Sequence, residues 1–171
     1  MIIENWKNFE CDEKDWFQCD EINEPLHNKL TPRFSLPVII KERLKPKEII
    51  KTPNGETVID MGQNMTGWIE IRLKMPKGFE VIVEHGEILQ SGNFFRENIR
   101  SALEQFRYIS DGKEAVVSPH FTYYGFRYAR LTNWEGDVNI DDFIGCNVYS
   151  DLETVGHIET GIPVVNKLIL N

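Results

Sequence analysis

From Phe34 onward the sequence runs in short segments rich in Val, Ile, Phe and Tyr, cut at close intervals by Pro, Gly, Asn and Asp. That texture constrains the fold more than any other feature. β-branched and aromatic side chains pack on a pleated surface, and the punctuating residues supply turns. Candidate strands are 36–43, 47–51, 56–60, 66–74, 80–88, 104–109, 120–132, 138–149 and 153–159. Pro53-Asn54-Gly55 and Pro76-Lys77-Gly78 each fix one φ and then offer residues tolerant of positive φ. Over 68–74, Ile69, Ile71 and Leu73 alternate with Glu70, Arg72 and Lys74, a period of two that buries one face and wets the other. The stretch 121–131 is apolar on both sides (Phe121, Tyr123, Tyr124, Phe126, Tyr128, Leu131), which suits the middle of a sandwich or a sheet face covered by a neighbouring domain. The expected fold is all-β: two antiparallel sheets packed face to face over residues 34–160.

The flanks read differently. Residues 1–33 are polar and irregular, interrupted by Pro25 and Pro32, and are expected to be a linker or the remnant of a preceding domain. Residues 93–103 suit a long loop or a helical turn, and the favoured reading is a loop lying across the sheet. Over 161–171, Pro163 at a helix start with Ile162, Val165 and Ile169 on one side predicts the opening turns of an α-helix. A helix of about two turns is not stable alone, so it is expected to need this domain's surface or further chain.

Charge and cysteines exclude several classes. Nineteen Lys and Arg stand against 27 Asp and Glu, a net charge of −8. A chain that acidic is poorly suited to nucleic acid, whose phosphates need a basic surface. No run approaches the roughly 18 apolar residues of a membrane helix. Cys11, Cys19 and Cys146 form no C-x-x-C pair, so they read as free thiols in a reducing compartment rather than zinc ligands or a disulfide framework. With no secretory signal visible, the expected location is the cytoplasm.

Chemistry-bearing residues are scattered. His85 and Glu87 stand two apart on a predicted strand and so share a face, where they can serve as an acid–base pair or metal ligands. His27, His120 and His157 complete no ligand set with them, and the expectation is a His bonded to a carboxylate within the sheet. Glu84, Glu87, Glu97, Asp60, Asp141 and Asp142 are candidate glycosidase acids, but no spacing singles out a pair, and Asp141-Asp142 reads as a solvated turn. There is no G-x-S-x-G and no phosphate-cradling glycine loop, and no cofactor is expected. Trp68, Phe94, Phe95, Tyr123, Tyr124 and Tyr128 can be sugar platforms, domain contacts or core. Asp60-Met-Gly-Gln-Asn-Met-Thr-Gly-Trp68 reads as a hydrogen-bonded corner between strands, with Asp60, Gln63 and Asn64 available to free backbone groups.

Several of these strings together resemble bacterial α-L-rhamnosidases. Asp60 to Trp68 is similar to D-F-G-Q-N-x-x-G-W, and His85-Gly-Glu-Ile-Leu89 to H-A-E-x-L. Asn98-Ile-Arg-Ser-Ala102 followed by Tyr108 resembles N-x-R-S-A…Y, and Pro119 to Tyr128 resembles P-x-F-T-F-H-G-F-R-Y. Ser150-Asp151 and the stretch from Gly156 to Asn166 resemble the connector into the catalytic domain, so the similarity covers about residues 56–171. Trp16 is similar to the close of the preceding domain. Departures are Gly86 for Ala, Phe106 for Asp, Tyr124 for His and Thr160-Gly161 for Cys-Ser.

The resemblance implies a concanavalin-like β-sandwich that supports an (α/α)6 catalytic domain, absent here, which carries the acids. It therefore implies no catalytic residue, metal or cofactor in this chain. Trp68, His85, Glu87, Phe94, Phe95 and Tyr124 remain candidates for sugar or inter-domain contact. The alternative is a module that binds rhamnose-containing carbohydrate on an exposed aromatic platform of Phe94, Phe95 and Tyr124; a third reading is an enzyme built on His85 and Glu87.

Overall fold

Alternating apolar residues and turn chemistry build the molecule strand by strand. The computed structural model describes residues 6, 8–14, 16–23 and 30–170. Expectations resting on Pro25, His27 and Asn171 lie outside the described residues. The strands are β1 (Val38–Leu44), β2 (Glu48–Lys51), β3 (Thr57–Leu73), β4 (Glu80–Gly86), β5 (Ile88–Gln90), β6 (Asn93–Phe95), β7 (Gln105–Ile109), β8 (Ala115–Val117), β9 (Tyr124–Thr132) and β10 (Phe143–Ser150), followed by helix α1 (Pro163–Leu170).

The fold is the expected all-β, antiparallel sandwich, with its layers joined in one curled sheet. Eight strands run in the order β1-β10-β3-β9-β4-β7, with β2 and β8 also pairing with β3; β5 and β6 form a separate hairpin. The joint is β3, a single strand of 17 residues where the sequence suggested two. Its first half pairs with β2 and β9, its second half with β9, β10 and β8. Between them Asp60 faces Tyr128 and Met65 faces Phe126, so residues 61–64 oppose Arg127 alone. The corner expected at Asp60–Trp68 is this bulge, which bends the strand without ending it. Just beyond it Gly67 has φ +156, and a Cβ there would fall 1.8 Å from the Cys146 carbonyl oxygen, so only glycine lets β3 and β10 approach.

Ile59, Ile69, Ile71, Val81, Val83, Phe126, Ala129, Leu131 and Phe143 fill the space the sheet encloses. Each large apolar side chain so buried contributes about 1.5–3 kcal/mol relative to exposure. Ile69, Ile71 and Leu73 point inward as their period of two requires.

Four elements depart from the sequence expectation. β9 begins at Tyr124, because Phe121 takes a φ of +59 that a strand cannot hold, and Phe121 and Tyr123 are exposed. β10 begins at Phe143, because the Asn139 side chain accepts from Asp141 N and opens a short helical turn over Ile140–Asp142. The run 153–159 forms no strand and is exposed. Within 93–103, Asn93–Phe95 pairs with β5 as β6, and a helical turn over Glu97–Ile99 follows.

Candidate functional site

The residues singled out by sequence gather mainly where β4 ends, β9 begins and the segment 96–105 crosses between them. His85 lies on β4 and is buried at 1% exposure. Its ring stacks on Tyr124 (centroids 4.0 Å, planes 14° apart) and meets the edge of Phe126 at 4.7 Å. Nδ1 lies 3.1 Å from the Glu104 carbonyl oxygen, which also accepts the His85 backbone N–H at 2.9 Å. The partner is thus a backbone carbonyl, which corrects the expectation of a carboxylate. Burial, aided by the nearby Arg96 cation, depresses the imidazole to a pKa of about 4, so it is neutral at pH 7. Such a histidine holds chain in place and offers no proton near neutrality.

Glu87 is not paired with it. β4 ends at Gly86, and Glu87 occupies the bend that follows, half-buried. One carboxylate oxygen accepts from Asn64 on the β3 bulge (3.4 Å), the other from Asn98 (3.0 Å). Glu87 thereby joins the bulge to the crossing segment. Among the described residues no group of three His, Cys, Asp or Glu is placed to hold a metal ion. Glu104 is the unusual carboxyl: one of its oxygens is buried without a partner, and burial followed by repulsion from Glu87 raises its pKa.

The aromatic candidates divide. Phe94 is buried, with the Arg130 guanidinium 4.8 Å above its ring. Tyr124 is buried too and donates its hydroxyl to the Gln105 carbonyl at 3.2 Å. Phe95 is half-buried opposite Ile88, and Trp68 is half-buried against the core on β3, across from Cys146. Phe94, Phe95 and Tyr124 therefore make no exposed platform. Phe106 packs against the core as well, in keeping with its apolar replacement of Asp. At Gly86 a Cβ would press to 3.0 Å on the Phe94 ring and the Phe95 carbonyl, which accounts for glycine here.

The polar frame of the region is a ladder of carboxylates and arginines, of which the sequence reading named Glu84 and Asp60 but neither Glu56 nor the arginines that bind them. Arg130 on β9 binds Glu56 (Nη1–Oε1, 2.6 Å) and Glu84 (Nε–Oε2, 2.8 Å). Arg96 binds Glu84 from the other side at 2.7 Å and donates to the carbonyls of Ala102, at 3.2 Å, and Leu103. Glu56 also accepts from the Phe94 backbone N–H at 3.0 Å. Burial would raise the Glu56 carboxyl, but Arg130 and the Phe94 N–H outweigh it and hold the pKa below the usual range. A parallel device closes the β3 bulge: Arg127 grips Asp60 at both oxygens (2.8 and 2.9 Å), and Asp60 accepts from Gly62 N at 2.7 Å. There too burial raises the carboxyl and the hydrogen bonds win, leaving the pKa lowered. One signal of these pairs was visible: Arg127 and Arg130 sit inside an otherwise apolar strand, where a cation needs a carboxylate partner.

Residues 50–149, which contain all these groups, match the family model described as the bacterial alpha-L-rhamnosidase concanavalin-like domain. The chain belongs to that family. An alpha-L-rhamnosidase of Streptomyces avermitilis is 27% identical over 168 residues, covering 97% of this chain and 16% of that protein. One from an Alteromonas species is 27% identical over 173 residues, covering 99% of this chain and 19% of its own length. The crystal structure of the Streptomyces enzyme complexed with L-rhamnose superposes with a TM-score of 0.84 over 98% of this chain and 16% of that one. The native enzyme from Aspergillus terreus does so with a TM-score of 0.83 at 28% identity, over 97% of this chain and 20% of that one. This concanavalin-like domain therefore spans less than a fifth of the curated rhamnosidases it matches.

Proposed function

We propose that the chain serves as a non-catalytic β-sandwich domain of an α-L-rhamnosidase. In this reading it braces an (α/α)6 catalytic domain of the same polypeptide, which removes terminal α-L-rhamnose from glycosides. The observation that carries it is the state of the buried acids. Glycoside hydrolysis needs one carboxyl that keeps its proton and a second that is free and faces it across the scissile bond. Asp60 and Glu84, the fully buried carboxylates among the described residues, are both locked by arginine, and Glu87, the carboxylate that repels the raised Glu104, is held by Asn64 and Asn98, so none of the three is free for a substrate. Exposed Leu152, Val155, Ile158, Ile162, Val164 and Leu168 along the connector and α1 support a neighbour on that side. The thiols of Cys19 and Cys146, which form no disulfide, support work in a reducing compartment such as the cytoplasm.

Assaying the isolated chain on an aryl α-L-rhamnoside tests the reading. No turnover is expected, whereas a polypeptide extended through a catalytic domain cleaves the substrate. Turnover by the isolated chain would overturn it. A carbohydrate-binding role draws on the Asn64–Glu87–Asn98 cluster, whose amides and carboxylate suit sugar hydroxyls. Calorimetric titration with L-rhamnose separates the two: saturable heat at millimolar sugar that is lost in Glu87→Gln favours binding.

A further inference from the structure

The chain enters and leaves the sandwich at one corner. β1 is an edge strand paired with β10, so Val38 lies opposite Ser150, and the Asp151 N–H donates to the Pro37 carbonyl at 2.9 Å. Between Ile40, opposite Val148, and Glu42, opposite Asn147, the register shifts, which leaves Lys41 as the extra residue of a bulge. A bulge re-aims the side chain it carries. Here the Lys41 ammonium reaches back along the ladder to Asp151 Oδ1 at 2.5 Å, and lies 5.9 Å from the centre of the Tyr149 ring. Lys14, Lys45 and Lys47 make their ion pairs with 60–79% of the side chain exposed, whereas Lys41 makes its own with 23% exposed. A lysine that only guarded a sheet edge would point into water.

A second clasp closes the far end of the connector. The Asn166 side chain on α1 reaches back to Thr160. Its Oδ1 accepts from the Thr160 N–H (2.8 Å) and hydroxyl (2.7 Å), and its Nδ2 donates to the Thr160 carbonyl (2.9 Å). Thr160 is thereby fixed to the helix. Between the clasps, the Leu152 N–H turns back to the Ser150 carbonyl at 2.7 Å. Residues 153–159 are exposed and make no hydrogen bond or ion pair among the described residues. Gly156 stands in their middle, where a Cβ would meet nothing within 4 Å. Hinges have this form, a few free residues between fixed ends.

We propose that residues 153–159 are the hinge between this sandwich and the catalytic domain of the same rhamnosidase, and that Lys41 is the positioning residue that fixes its near pivot at Asp151. This rests on the function proposed above. Fully extended, the free run reaches roughly 25 Å at most, and releasing Asp151 adds slack at the sandwich end. A surface ion pair adds little to the stability of a fold. Losing this one should therefore be felt in the connector and not in the sheet.

Lys41→Met tests the pivot, and Asp151→Asn breaks the same pair while keeping the backbone N–H. In the isolated chain each should leave the denaturation midpoint unchanged. Each should speed hydrogen exchange at the residue 151 and Leu152 amides by about two- to fivefold, the range a surface pair supports. Lys41→Arg should behave like the parent chain. In the full-length rhamnosidase, both breaks should raise cleavage after Glu153 by a glutamate-specific protease by about twofold or more. They should also enlarge the maximum dimension seen by small-angle scattering, and Lys41→Arg should restore both readouts. Unchanged exchange and cleavage overturn the proposal. So does faster exchange spread evenly over β1 and β10, which would make Lys41 a residue of the sheet. Association of the isolated Lys41→Met chain that grows with concentration overturns it too, because Lys41 would then be guarding the edge. Turnover by the isolated chain would sink the proposed function; an inactive isolated chain beside a full-length enzyme indifferent to both breaks sinks only the hinge.

Discussion

Two irregular segments follow strands in this molecule, and they differ in what holds them. Residues 96–105 follow β6, and residues 151–162 follow β10. Both carry exposed apolar side chains, Leu103 in the first and Leu152, Val155 and Ile158 in the second. The first is fixed by Arg96, His85 and Tyr124, which take its carbonyls, and by Asn98 on Glu87. The second has a backbone bond from Asp151 N to the Pro37 carbonyl at its start. At its end the Asn166 side chain accepts from Thr160 N and donates to Thr160 O. Order in an irregular segment thus depends on whether core side chains satisfy its backbone, because each unsatisfied carbonyl otherwise turns to water.

The comparison breaks most sharply at Arg130. Arg130→Ala leaves Glu56 without its cation and Glu84 with one fewer, and should cost about 3–5 kcal/mol by urea unfolding. If the stitched segment depends on this ladder, its amides should lose hydrogen-exchange protection before those of β10.

Acid should loosen the same end. His85 has a pKa of about 4 folded against 6.5 for the ordinary group, so the unfolded chain binds more protons between those values. The stability it contributes is complete above pH 6.5 and is lost as pH falls towards 4, by about 3 kcal/mol in all. Glu84, Arg96, Glu104 and Tyr124 surround the ring. Of these Glu104, with its raised pKa, works in the opposite direction as pH falls, whereas the lowered Asp60 and Glu56 work with His85. In His85→Phe the slope of stability between pH 6.5 and 4 should flatten; an unchanged slope assigns it elsewhere.

Gly86→Ala probes the packing under the segment. Its Cβ would press on Phe94, the ring beneath Arg130, and overpacking of this kind costs about 1–3 kcal/mol. The smallest effect belongs to the second segment. Leu152→Ser and Val155→Ser should change the isolated chain's stability by less than about 0.5 kcal/mol, while a protease that cuts after glutamate, present in both segments, cuts 151–162 before 96–105.

Local pattern made much of the fold legible. The alternation of Ile69, Ile71 and Leu73 and the turns at Pro53-Asn54-Gly55 and Pro76-Lys77-Gly78 depend on residues close in sequence, and the strands appear where those residues place them. The site was less legible. His85 was visible as a candidate, but its partner, the Glu104 carbonyl, is 19 residues away and carries no side-chain signature. Asp60 and Arg127 are 67 residues apart, and Glu56 and Arg130 are 74 apart.

What the sequence determined alone is the class of fold and the family, since both rest on short-range order: period-two burial, turn residues, and strings such as Asp60 to Trp68. Tertiary structure decided that β3 runs unbroken through its corner, where Arg127 reaches across from β9 to bind Asp60. It also decided that Phe94 and Tyr124 turn inward while Phe121 and Tyr123 face water. Aromatic residues satisfy the local pattern in either position, and only the arrival of distant strands fixes which side of the sheet becomes the inside.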